Sequence, residues 1–350
     1  MHLATLSTQI MARLRNPCNV IVRQVKRTDL DGLCKLAASS VITTLRDTNM
    51  LEKRLEHAIS SFEKAGHSDA PQNDSIESYL FAMEDQQNML VGISGIASKV
   101  PSFLKYKMSK EIKDSAHLDV RSNVQILKLE TNDRGMTELN TLYAHPKTRG
   151  FGKLLSFSRL LYIAEYLEKF EDKVFVEIQG FATECGFSPF YDHCVKPFMK
   201  VDFVAAETLS CNSQHMQSLH CLLPKHPIYV DLLPKHVRGI LGKPHKDSKR
   251  AKKLLEQQNF STTGEIDVIE GGPVLACATE EIVAVRNSVG GEFRGDLIED
   301  PKDALIAAFE PFRCCRGSAG IRIDGGINVD QHVVEKLELN IGDNIRLYFL

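Results

Sequence analysis

The sequence predicts an α+β protein: a mixed, mostly antiparallel sheet flanked by helices, with a helical insertion and a β-rich C-terminal extension. Three observations lead to it. Apolar runs of strand length follow one another at 79–83, 90–96, 124–129 and 138–143 without long helices between them, which suggests antiparallel pairing. Residues 152–170 then carry apolar groups at 154, 157, 160, 161, 164 and 167, a helical period, and the strand-like run Lys173–Ile178 follows directly. From Gly264 onward, short β-branched runs dominate.

The elements can be justified in order. Residues 20–25 are rich in valine and isoleucine and open the fold as a strand. Thr28, followed three residues later by Asp31, suits the start of a helix with apolar positions at Leu30, Leu33 and Leu36. A second amphipathic helix spans Leu51 to Lys64, and the polar stretch from Gly66 to Asp74 is a loop. A lysine-rich excursion at 105–117 interrupts the meander that follows. Residues 204–257 are mainly helical, broken by prolines at 224, 227, 234 and 244; Leu-Leu-Pro-Lys-His occurs at 222–226 and again at 232–236, too brief an echo for a repeat architecture. Strands are expected at Ile266–Ile269, Val274–Cys277, Ile282–Arg286, Ile321–Ile323 and Arg346–Leu350, as a small barrel or a sheet extension. The expected organisation is an extension at 1–18, a first domain at 19–203 and a helical, then β-rich region at 204–350.

Composition bounds the function. With 350 residues, 43% hydrophobic content and 25% charge, the chain reads as an ordinary globular protein, and a formal net charge of -2 gives no bulk attraction to nucleic acid or anionic membrane. No apolar run approaches the roughly 20 residues that span a bilayer. The nine cysteines include no C-x-x-C pair, which argues for a reducing, cytoplasmic setting and against a disulfide framework or zinc site. Adjacent Cys314 and Cys315 read as strand residues rather than a redox pair. The first 28 residues lack acids, as transit peptides do, but the strand at 20–25 leaves only about 18 extra residues, a frayed or non-native extension.

The chemistry concentrates in His145-Pro-Lys-Thr-Arg-Gly-Phe-Gly-Lys153, between a strand and the long helix. Gly150 and Gly152 free the backbone to curl around an anion, and the following helix offers it unpaired N–H groups and the positive end of its dipole. Lys147, Arg149 and Lys153 add local positive charge. A diphosphate is the simplest ligand. The P-loop pattern is absent, and so is a dinucleotide fingerprint after the first strand. Taken alone, the turn is also what any tight strand-to-helix connection looks like.

Lys147-Thr-Arg-Gly-Phe-Gly152 resembles the pyrophosphate loop of the GNAT acyltransferases, in which an acyl-CoA thioester lies between two splayed parallel strands and a strand amide polarises its carbonyl. A narrower resemblance covers residues from about 19 to the end. Glu138-Leu-Asn-Thr-Leu-Tyr143, Gly186-Phe-Ser-Pro-Phe-Tyr191, Met199-Lys-Val-Asp-Phe203, Leu223-Pro-Lys-His-Pro-Ile-Tyr229, Glu265-Ile-Asp-Val-Ile-Glu-Gly-Gly-Pro273 and Gly342-Asp-Asn-Ile-Arg-Leu347 are similar to successive signatures of the arginine N-succinyltransferases of bacterial arginine catabolism. That resemblance implies a GNAT-like acyl-CoA-binding domain at 19–203, with 204–350 completing the substrate site. It implies succinyl-CoA as co-substrate with no tightly bound cofactor or metal, L-arginine as acceptor, and a homo-oligomer or a related-subunit hetero-oligomer. Ornithine or another amine, and a weakly active or non-catalytic subunit, are the alternatives.

Carried over by position, the resemblance places Leu142 at the succinyl-CoA contact and makes His245 the proton donor; imidazole, titrating near neutrality, suits that role. Without the resemblance, His245 reads as a loop histidine beside Lys243 and Lys246. His226, between Lys225 and Pro227, is either a rigid-turn residue or a substrate contact. A guanidinium acceptor needs carboxylates, and Glu177, Asp267 and Glu270 are the candidates, each equally readable as a surface acid or structural pair. No serine or cysteine sits in an activated setting, which fits direct attack without an acyl-enzyme. Two departures stand out: Ser39–Arg46 replaces a glycine-rich family segment, and Gln179 stands where the family tends to place arginine.

Overall fold

The computed structural model describes residues 20–38, 47–65, 76–148, 150–183, 187–210, 216–296 and 300–350. The extension at 1–18, the loop at 66–74, Ser39–Arg46 and Arg149 lie outside the described residues. The described residues divide into two compact units: those within 20–98, 139–170 and 279–350 form the first, and those within 99–138 and 171–278 the second.

In the first unit, β1 (Ile21–Gln24) pairs antiparallel with β2 (Ser78–Glu84), and β2 with β3 (Leu90–Val100). β3 neighbours β6 (Met136–Ala144), of which residues 139–144 belong here. Helices α1 (Leu30–Ala38) and α2 (Thr48–Ala65) cover this sheet through Leu33, Leu36, Leu51, Leu55 and Ala58, spaced to lie on one face of each helix. The first helix starts differently from the Thr28/Asp31 expectation. A 3-10 turn at Arg27–Asp29 precedes it, and Asp29 accepts the Lys26 N–H at 2.7 Å while gripping buried Arg23 through two bonds of 2.8 and 2.9 Å. An ion pair with a buried arginine outweighs the local cap.

Helix α3 (Gly152–Glu165) is buried from Leu154 through Ala164. An aromatic cluster packs it to the sheet, with Tyr162 in contact with Phe62, Tyr79, Phe81 and Phe312 at ring separations of 4.8 to 5.6 Å. The C-terminal strands β11 (Val289–Gly295), β12 (Lys302–Phe309), β13 (Phe312–Ile321), β14 (Ile327–Val329) and β15 (Asn344–Phe349) close on themselves. Their order is β12-β15-β11-β14-β13, with β12 and β13 also paired, a small barrel. Helix α10 (Gln331–Leu337) packs on it, with Asp330 accepting the Val333 N–H at its N-terminus. Cys314 and Cys315 are buried residues of β13, and both are free thiols. Ile282–Arg286, read as a strand, is instead mostly helix α9 (Val283–Asn287); a short apolar run has no period that separates the two states.

In the second unit, β4 (Phe103–Ser115) and β5 (Val120–Asn132) form an antiparallel ribbon with thirteen register pairs. The lysine-rich excursion is therefore a strand, with Phe103–Tyr106 buried and its outer half solvated. β5 pairs with the short β8 (Ile228–Tyr229), and β4 with β9 (Ser261–Ile266). β9 pairs antiparallel with β10 (Pro273–Ala278), and β10 with β7 (Lys173–Glu177). The strand expected at Ile266–Ile269 ends at Ile266, because Asp267 begins a tight turn whose Ile269 and Glu270 amides donate to its side chain. Helices α4 (Lys196–Met199), α5 (Phe203–Ser210), α6 (Met216–Leu222), α7 (Lys235–Arg238) and α8 (Lys249–Glu256) supply the helical stretch, and a core of Phe190, Tyr191, Phe203, Leu219, Leu223 and Val237 joins most of them. β6 and β7 pair in parallel only at Thr137↔Val174 and Glu138↔Phe175.

Candidate active site

The glycine loop takes the form its composition demands. After β6, His145 donates its N–H to Val91 at 2.8 Å, and Pro146–Thr148 make one 3-10 turn closed by two bonds from Thr148 to the His145 carbonyl. Gly150 follows with φ +110°, a conformation that side chains rarely adopt, and Gly152 is the first residue of α3. A Cβ added at either glycine would meet nothing within 4 Å, so both face open space. No side chain caps α3 and no acid stands in its first turn, which leaves its N–H groups and dipole for an anion. Lys153 lies over the Phe157 ring at 5.5 Å. Burial, then the neighbouring Arg316, lowers its ammonium below the usual lysine range, while Asp303 opposes this. Lys147 falls in the 3-10 turn.

Upstream in β6, Thr141 has φ +53°. A left-handed β-branched residue inside a strand costs about 1–3 kcal/mol. Leu142, half-buried, is the next residue. The expected strand contact for a thioester thus sits directly after the most strained peptide of its strand.

The second unit holds the remaining candidates. Glu177, at the end of β7, pairs with Lys105, whose side chain is 1% exposed. The Lys105 ammonium lies 4.7 and 5.3 Å from the Phe103 and Phe175 ring centres. Burial pulls it down to about 8, against the fields of Asp267, Glu138 and Glu265. Gln179 is joined to His245: its carbonyl accepts the His245 N–H at 2.8 Å, and its side chain receives the Ser248 hydroxyl at 3.4 Å. His245 is buried, and its Nδ1 stands 3.6 Å from the Asp247 carboxylate. Asp267 and Glu270 belong to one turn. One oxygen of the Asp267 carboxylate accepts the Ile269 and Glu270 amides, and Glu270 accepts the Gly180 N–H at 2.9 Å. Glu270 keeps some solvent contact, but dense packing around its carboxyl raises it well above the usual range, with Asp267 and Glu207 adding to the effect. His226 is exposed and stands apart in an open groove beside Phe198 and Cys221. Among the described residues, no group of three or more His, Cys, Asp or Glu is placed to hold a metal ion, and no helix is long and apolar enough to cross a membrane.

The family description "Arginine N-succinyltransferase beta subunit" matches residues 20–284. The chain belongs to the arginine N-succinyltransferase family. It is 32% identical over 334 residues to the arginine N-succinyltransferase subunit beta of Pseudomonas aeruginosa, covering 93% of this chain and 97% of the relative. It is 32% identical over 278 residues to the arginine N-succinyltransferase of Escherichia coli O6:H1, covering 77% of this chain and 79% of that one. The solved structure of arginine/ornithine succinyltransferase subunit AI from Pseudomonas aeruginosa superposes with a TM-score of 0.81 at 25% identity, over 95% of this chain and 98% of that one.

Sequence reasoning about this succinyltransferase overlooked four residues that the structure brings to the loop and its strand. Arg316, held by Asp303, is close enough to lower the Lys153 ammonium, while Gly95, Arg54 and Arg159 converge on Asn140 and Thr141. One signal was present for Arg159, a cation amid the apolar positions between 154 and 164 of a helix. The rest depend on contacts between distant segments.

Proposed function

We infer that this chain transfers succinyl from succinyl-CoA to the α-amine of L-arginine. The observation that carries the reading is the uncapped α3 N-terminus behind Gly150, one short turn beyond the strained Thr141–Leu142 peptide of β6, in a chain of the arginine N-succinyltransferase family. The CoA diphosphate binds the loop amides with Lys147, Arg149 and Lys153, and the thioester carbonyl accepts from the strand at Leu142. The neutral amine attacks the carbonyl carbon, forming the C–N bond and a tetrahedral oxyanion. The attached nitrogen gives up its surplus proton to water, collapse breaks the C–S bond, and His245 supplies the proton that releases CoA as thiol. The products are N2-succinylarginine and CoA.

Two of the thiols are unsuited to forming an acyl-enzyme. Burial pushes Cys194 up to about 12 and raises Cys314 well above the usual thiol range, so neither is a thiolate nucleophile. For the acceptor, the candidate carboxylates remain Glu177, Asp267 and Glu270, engaged respectively by Lys105, by the turn's own amides and by the Gly180 N–H. His226 serves as a turn residue in this reading. The region 204–350 contributes His245 and the 265–273 turn. The free thiols of the described cysteines suit a reducing, cytoplasmic setting. Relatives described as "subunit beta" and "subunit AI" favour an assembly with a related subunit, and ornithine is the second acceptor to test.

The test is CoA release, followed with a thiol-reactive dye, from succinyl-CoA and acetyl-CoA against L-arginine, L-ornithine and L-lysine. Succinyl-CoA with arginine is expected to be the best pair. No turnover with any pair, by a chain that still binds CoA, refutes the enzyme reading and leaves a scaffold subunit.

A further inference from the structure

Arg159 is the largest fully buried side chain among the described residues, on a helix otherwise lined by leucine, phenylalanine, serine and tyrosine at the same depth. Among the described residues its guanidinium bonds no carboxylate. It donates to the Ser156 carbonyl and hydroxyl at 3.2 Å each, to the Gly95 carbonyl of β3 at 3.4 Å and to the Asn140 carbonyl of β6 at 3.3 Å. Burial lowers it to about 9, which still leaves it charged at neutral pH. An unpaired buried cation is costly, and a leucine would fill an apolar helix face at less expense. What it bonds explains its presence. One of the two strand carbonyls that Arg159 holds belongs to Asn140, directly before left-handed Thr141, and the other to Gly95 of β3.

Two further contacts fix the same point. Arg54 of α2 donates to the Thr141 hydroxyl at 2.6 Å, and that hydroxyl donates to the Asn140 side-chain oxygen at 3.0 Å. A Cβ at Gly95 would lie 2.3 Å from the same Asn140 oxygen, so any side chain there would displace that amide. Residues from α2, β3 and α3 therefore converge on one strained peptide.

We propose that Arg159 is a positioning residue for acyl transfer: bridging Gly95 and Asn140, it holds Thr141 left-handed and so aims the following Leu142 amide at the thioester carbonyl. The proposal rests on the succinyl-transfer reading above. Arg159 touches neither substrate; it acts through the β6 backbone.

The experiment is steady-state kinetics of Arg159→Met and Arg159→Lys, each alone and combined with Thr141→Gly, with CoA affinity by calorimetry and thermal midpoints recorded alongside. Arg159→Met is expected to lower kcat about tenfold, equivalent to about 1.4 kcal/mol, while CoA affinity changes less than about twofold. Arg159→Lys, with a single donor point, falls between. Adding Thr141→Gly is expected to restore most of the lost kcat, because glycine takes a positive φ without support. A general loss of packing would lower the midpoint without this selective rescue. If Arg159→Met does not fold, the lysine pair carries the same comparison. Wild-type kcat in a folded Arg159 variant, or a loss that Thr141→Gly leaves in place, overturns the proposal alone. A wild-type chain with no succinyl transfer overturns the functional reading and this proposal with it.

Discussion

Lys105→Met should make the protein more stable at neutral pH and remove a specific part of its pH dependence. The side chain is 1% exposed, and burial brings its ammonium from 10.5 to about 8. Below about pH 8 the folded and unfolded chains both hold the proton, and the folded state bears the full desolvation cost. Between about 8 and 10.5 only the unfolded chain holds it, so unfolding takes up a proton and stability rises with pH. At about 1.4 kcal/mol per pH unit, this lysine contributes a rise of about 3 kcal/mol across that window. Methionine fills similar space between Phe103 and Phe175 without a charge. Glu177 loses its partner, but its side chain is 36% exposed and can be hydrated. Urea unfolding of both chains at about pH 7 and about pH 10 isolates the effect, because other groups titrate equally in the two proteins. The stability advantage of the variant should be largest at pH 7 and shrink by about 2.5 kcal/mol at pH 10. An advantage that is constant, or that grows with pH, refutes the argument that Lys105 is held against its own charge.

Three further outcomes follow from the geometry. Gly150→Ala introduces no clash, so its effect is purely that of φ +110°; about 1–3 kcal/mol of strain should raise the KM for succinyl-CoA about tenfold or more with a smaller change in kcat, and an unchanged KM refutes the loop assignment. His245→Ala should lower kcat roughly a hundredfold or more while CoA affinity holds, and undiminished turnover removes this histidine from the mechanism. Glu270→Gln keeps an acceptor for the Gly180 N–H but removes a carboxyl that burial raises. A raised carboxyl stabilises the fold at low pH and loses that contribution as pH climbs through its folded value. The variant should therefore lose less stability than the wild type between about pH 5 and pH 8, and parallel curves refute that reading.

What the sequence disclosed about the fold and site depended on how local each cause was. Gly150, Gly152 and the helix behind them were legible because a positive φ and an exposed helix N-terminus are properties of a few consecutive residues. The ribbon strand at Phe103–Ser115 was not, because its outer half is solvated on both faces and lysine there satisfies no apolar alternation. The barrel strands at Val289–Gly295 and Ile327–Val329 were missed for a related reason: glycine-rich and three-residue strands take their identity from the neighbours they pair with, not from propensity. Thr141 is the sharpest case. Threonine favours an extended backbone, and nothing within Glu138–Tyr143 announces a left-handed turn. That conformation is imposed by Arg54, 87 residues away, and by Arg159, 19 residues from Asn140. The glycine loop can be found from its own spelling because it binds by backbone. The strained peptide that follows Asn140 becomes visible only when the buried cation behind it is assigned a purpose, and its dependence on that cation is what the Thr141→Gly rescue measures.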